Sequence, residues 1–161
     1  MTDTSGTRWL DERQQRAWRA LCVGTTLLFD RLDDELHEYG ISIHEYEILV
    51  RLSEHPDRCL RMSSLADAMR FSRSRITHTI KRMERAGLVV RDAASDDGRG
   101  IVAHLTSAGF ALLERAAHTH VRGVREHLVD RVDPDDFAAL GRVMDTVVDK
   151  LSADHPEADL R

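Results

Sequence analysis

The chain has 161 residues, 42% apolar and 32% charged, with a formal net charge of −5. That length gives one domain's worth of core, and three prolines with nine glycines argue against a loop-rich or all-β chain. No apolar run long enough for a membrane span or a signal peptide is present, and two cysteines 37 positions apart form no secreted disulfide framework, so a cytoplasmic protein is expected.

The first predicted element is a long helix. Trp18, Leu21, Thr25, Leu28, Leu32, Leu36 and Tyr39 recur at steps of three or four and form one stripe, which Gly40 ends. Cys22 lies within it among the apolar neighbours "ALCVGT", which supply no group to lower a thiol pKa, so a buried structural cysteine is expected. A second helix starts at Ser42, whose pairing with Glu45 is a capping-box pattern, and carries Tyr46, Ile48, Leu49 and Leu52 as far as "EHPDR".

Three shorter pieces follow. Met62–Met69 reads as a short helix with Leu65 and Met69 inward and Ala66 leaving room for a close neighbour. "RFS" breaks it, and Ser72 opens another helix with Ile76, Ile80 and Met83 inward, ending at Gly87. Two short helices joined by a three-residue turn are the helix-turn-helix layout. Val89, Val90, Ile101 and Val102 then suit a hairpin around a Gly-containing tip.

Two helices close the chain. Phe110, Leu113, Ala117, His120, Val124, His127 and Arg131 make one stripe, with Leu112, Val121 and Leu128 beside it. "DPDDF" then caps a last helix carrying Phe137, Leu140, Met144, Val147 and Leu151. The terminal stripes are wider than one small domain needs, which a dimer would resolve.

Charge is segregated along this order. Residues 1–57 carry net −6, residues 58–104 net +5, and residues 105–161 net −4. Between Arg70 and Arg91, seven basic residues face a single acid, Glu84. A polyanion responds to this local potential within a Debye length of roughly 8–10 Å, not to the molecular sum. On the second helix of the pair, Arg73, Ser74, Arg75, Thr77, His78, Lys81 and Arg82 lie on or beside the outer face, and arginine can bond guanine O6 and N7 as a fork. Arg99 at the hairpin tip suits an adjacent minor groove, with Asp97 placed to aim it. Arg61, Arg70 and Arg91 suit phosphate contacts, whereas Arg85 sits where a cation complements a helix C-terminus.

The order "LADAM…SRSRITHTIKRMERAGLVVR…DDGRG…LTSAG" resembles the MarR family, the multiple-antibiotic-resistance regulators of bacteria, over roughly residues 8–152. Its most specific parts are the "L-x-x-x-G-L-V" helix end at Met83–Val89, with Met for Leu, and the "D-x-R…L-T" of Asp97, Arg99, Leu105 and Thr106. The resemblance implies a mainly α fold, a winged helix-turn-helix with long N- and C-terminal dimerisation helices and a two-stranded β-wing. One domain would span 1–161: dimerisation helices at 8–40 and 106–152, and a DNA-binding module at 42–105 (helix-turn-helix 62–87, wing 88–105). It further implies a homodimer on a pseudo-palindromic double-stranded DNA operator, acting as a repressor released by a small-molecule or chemical signal. His44 and Trp18 are candidates for such an effector's cleft, the alternatives being a partly exposed helix-start histidine and a tryptophan packed in the dimer interface.

The alternative is a helical interaction module whose basic face meets an acidic protein. His120 and His127 invite a pH or metal response, but no pair has CxxC or His-x-x-x-His spacing, so no metal or cofactor is expected. No enzyme is expected either: the two "HE" pairs at His37 and His44 are followed four residues on by Ile41 and Ile48, and phosphate-loop, dinucleotide and nucleophile-elbow motifs are absent.

Overall fold

The computed structural model describes residues 6–93 and 100–151. Asp97 and Arg99 lie outside them. In chain order the described elements are α1 (Glu12–Leu36), a 3-10 turn (His37–Tyr39), α2 (Ile43–Glu54), β1 (Cys59–Arg61), α3 (Met62–Ala68), α4 (Arg73–Arg85), β2 (Val89–Ala93), β3 (Ile101–Leu105), α5 (Ser107–His127), a second 3-10 turn (Val129–Arg131) and α6 (Pro134–Leu151). No helix among the described residues is long and apolar enough to cross a membrane.

Local chemistry sets the boundaries. Asp11 and Ser42 each complete a capping box, with Gln14 and Glu45 returning a side-chain bond to the cap backbone. Gly40 takes φ 71°, the left-handed conformation that lets the chain leave the first helix and enter the second within two residues. Thr106 joins the sheet to α5. Its N–H donates to Leu88 O, its hydroxyl donates to Gly87 O at 2.7 Å, and it accepts from Gly109 N at 2.9 Å.

The core lies between α2, α3, α4 and the sheet, and reaches the end of α1 and the start of α5. Leu36, Ile48, Leu49, Leu52, Leu65, Ile76, Ile80, Met83 and Val89 are each fully buried. At about 1.5–3 kcal/mol per buried aliphatic side chain, these residues outweigh any single polar contact in the module. The sheet has the order β1-β3-β2, all antiparallel, with Leu60 opposite Ala103 and Arg91 also opposite Ala103. The expected two-strand wing thus gains a third strand, Cys59–Arg61, on its inner edge.

Three expectations change on contact with the fold. The α1 stripe turns inward only near its end: Leu32 and Leu36 are buried, Leu21 and Leu28 half-buried, and Trp18 and Thr25 exposed. Cys22 is accordingly exposed and not a buried structural cysteine, since none of the described residues covers it. On α5 the buried line is Gly109, Leu113, Ala116, Thr119 and Gly123: of the expected stripe Leu113 is buried, whereas Phe110 and Val124 are half-buried and the smaller Ala116, Thr119 and Gly123 take inward positions. Gly123 leaves space that Glu35 and Leu32 of α1 fill. His127 bonds Glu35 at 2.8 Å, and His120 stacks on Tyr46, so both face the chain's own helices.

Candidate nucleic-acid interface

α4 is held by one face and exposed on the other. Ile76, Ile80 and Met83 are at most 1% exposed. Across the helix, Arg73, Ser74, Arg75, His78, Lys81 and Arg82 are exposed. Ser72 caps the exposed start, its hydroxyl oxygen accepting from Arg75 N at 3.2 Å and sharing a 3.1 Å bond with Ser74 Oγ. The first turn therefore presents free backbone N–H groups together with two guanidinium groups, both attractive to an anion. Thr77 is half-buried, and its hydroxyl donates back to Arg73 O at 2.8 Å.

The predicted basic residues divide into two sets. No carboxylate among the described residues pairs with Arg73 or Arg75, and Arg75 instead lies over the Phe71 ring, 3.7 Å from its centroid. Arg82 and Arg91 are fastened internally. Arg82 Nε donates to Glu45 Oε1 at 2.8 Å. Arg91 donates through Nε and a terminal nitrogen to Glu84 Oε2, at 3.0 and 2.7 Å. The Arg91 bond holds the Glu84 carboxyl below its ordinary range, and the Glu45 bond raises the Arg82 guanidinium further above its own. Sequence reasoning saw Glu84 as an opposing charge but missed the second role of Glu45: this buried carboxylate caps α2 through Ser42 N at 2.9 Å and anchors α4 through Arg82.

Arg70 is exposed in the turn at φ 56°, and Arg61 is half-buried at the end of β1. Arg85 is exposed in the last turn of α4. His44 lines a groove against α4 together with Phe71, Arg75, His78 and Arg82. Trp18 lines neither this groove nor a second, more apolar cavity of about 310 Å³ formed by Phe29, Ile43, Tyr46, Glu47, Val50 and His120. Burial lowers the His120 pKa, and its buried Nδ1 has no partner among the described residues.

The helix-turn-helix and sheet geometry agrees with known proteins. A family model described as the MarR family matches residues 39–100. The crystal structure of AbsC, a MarR family transcriptional regulator from Streptomyces coelicolor, is 39% identical, covers 90% of this chain and 98% of its own, and superposes with a TM-score of 0.85. This chain belongs to the MarR family. A second MarR family regulator from the same organism, Sco3205, was solved in complex with DNA; it is 37% identical over 98% of this chain and all of its own, with a TM-score of 0.87. The HTH-type transcriptional regulator PecS of Dickeya dadantii is 32% identical over 114 residues, 67% of this chain and 69% of that protein. These relatives are named as regulators of transcription, and the likeness shows that this chain has the winged helix-turn-helix fold.

Proposed function

We propose that this protein is a sequence-specific, double-stranded DNA-binding regulator of transcription that acts in the cytoplasm as a homodimer and carries no catalytic activity. The carrying observation is α4: a helix fully buried along Ile76, Ile80 and Met83 whose cationic, unpaired first turn faces solvent. A major groove about 12 Å wide admits one helix, and the N-terminal residues of a reading helix reach base edges. Arg73, Ser74, Arg75 and His78 take that place, with Thr77 beside them. Lys81, Arg70 and Arg61 suit phosphates. Arg82 and Arg91 orient the module through Glu45 and Glu84, and offer a phosphate only their remaining N–H groups. Arg99 and Asp97 lie outside the described residues, and the sequence motif alone suits Arg99 to the minor groove. The likeness to a DNA-bound relative supports this reading.

A two-fold pair of such modules, with reading helices about 34 Å apart, matches a pseudo-palindromic operator. Repression fits a protein that occupies a promoter, and a small molecule in the cavity beside His120 would release it by moving α2 and α5. The deciding experiment is competition between a palindromic duplex from the protein's own promoter region and a scrambled duplex of equal length. Preference for the palindrome by roughly 10³-fold or more is expected. Equal affinity for both, or binding to neither, removes the regulator reading and favours an acidic protein partner for the basic face.

A further inference from the structure

We infer that Phe71 is a specificity-determining positioning residue that acts through Arg75: its ring is a platform that presets the Arg75 guanidinium for base reading. This rests on the DNA-reading role of α4 and adds a residue that the sequence pattern did not single out.

Three observations converge on the ring. Phe71 belongs to the break between α3 and α4, where Arg70 takes a left-handed φ of 56° and turns the chain sharply. The Phe71 N–H then donates to Ala66 O at 2.9 Å, which ties the residue to α3, and its half-buried side chain packs on the core. The ring therefore belongs to the rigid body and not to a free loop. Against it lie the Arg75 guanidinium, 3.7 Å from the centroid, and the His44 ring, 5.1 Å away at an interplanar angle of 85°. An arginine on the exposed first turn of a helix ordinarily samples many rotamers. Here the negative face of an aromatic ring holds the cation and fixes the plane of its fork. Bidentate bonding to guanine O6 and N7 requires that the fork plane match the base plane. A guanidinium already held near one orientation loses less freedom on binding the right base, so discrimination rises without another contact. The His44 ring packs on Phe71 at nearly a right angle and lines the same groove as Arg75.

The test is a base-preference profile over all single-base-pair variants of a half-site, with binding also followed against salt. Phe71→Leu should flatten preference at the same base pair as Arg75→Ala, by about 2- to 10-fold, while leaving the salt slope unchanged. Phe71→Tyr should keep the wild-type profile. Phe71→Met, which also lacks a π face, stands in if the leucine variant does not fold. A uniform loss across all positions, a flattened position different from that of Arg75→Ala, or an unchanged profile overturns the inference. A second arm needs no DNA. The Arg75 Cδ–Hδ resonances, identified by their loss in Arg75→Lys, should be ring-current shifted in the wild type and in Phe71→Tyr, and should move to ordinary values in Phe71→Leu. Resonances that stay put overturn the platform itself. A wild type without any duplex preference sinks the DNA-reading assignment, and the specificity role of Phe71 with it, whatever the spectra show.

Discussion

Glu45 shows how one side chain serves two elements. Its carboxylate is buried, so leaving it without a cation is costly, and Arg82 is the cation that reaches it from α4. Arg82→Met should destabilise the fold by about 1–2 kcal/mol, below the roughly 3–5 of a fully buried pair because the guanidinium is itself partly in water. Chemical denaturation reads that loss. The salt slope of DNA binding should fall by less than the roughly 0.9 expected for a full phosphate contact. Arg75→Ala should act in the opposite way: stability stays within about 0.5 kcal/mol, while base preference relaxes at one half-site position, as a binding profile over single-base variants would show. His120 supplies a pH dependence. Burial holds its imidazole below the ordinary histidine value, against a weaker opposing pull from the Glu35 charge. As pH falls below about 6.5, the unfolded chain takes up this proton before the folded one does, and stability is lost progressively. Melting temperatures at pH 7.5 and 5.5 should therefore differ more for the wild type than for His120→Phe.

The joint between β2 and α5 is as tightly specified as any helix. Gly109 packs so closely on Leu88 that an added Cβ would strike the Leu88 carbonyl oxygen and the Leu105 side chain. Gly109→Ala should cost about 1–3 kcal/mol in a thermal or urea melt, since backbone atoms cannot step aside as a flexible side chain can. The "LTSAG" run thus records a cap, a carbonyl bridge and a close approach in five residues. Elements with strong end signals were readable from sequence for this reason: Ser42 with Glu45, Ser72, Gly87 and Asp133 with Pro134 all sit at or beside helix ends in the structure. What escaped lacked such a signal. β1 is three residues, "CLR", too short for alternation to show, and it exists because β3 offers a free edge. The inward face of α5 was misplaced because Ala116, Thr119 and Gly123 add little hydropathy; they are buried for their small size. In the candidate site, the cationic first turn of α4 was visible as composition and spacing. The partners that sort those cations, Glu45, Glu84 and Phe71, come from 7 to 37 residues away or from the turn, where no periodicity connects them.

Among the described residues, burial concentrates in the helix-turn-helix and sheet, and α6 is left bare. α6 buries no residue, and Phe137, Leu140, Val143, Val147 and Leu151 remain exposed along it. Trp18, Val23, Leu27 and Phe29 of α1 are likewise in water. Large apolar side chains left uncovered on two helices suit an association face, in line with the proposed homodimer. Leu140→Glu combined with Val147→Glu should shift the sedimentation coefficient from that of two chains to that of one, and should abolish tight binding to a palindromic duplex while leaving weak half-site binding.

That uncovered end also has an arithmetic effect on control. If the competent species forms by encounter of two chains, its abundance at low expression grows as the square of chain number, so halving synthesis empties a promoter about fourfold rather than twofold. A gene switch of modest affinity thereby gains steepness from greasy helices that join one chain to another.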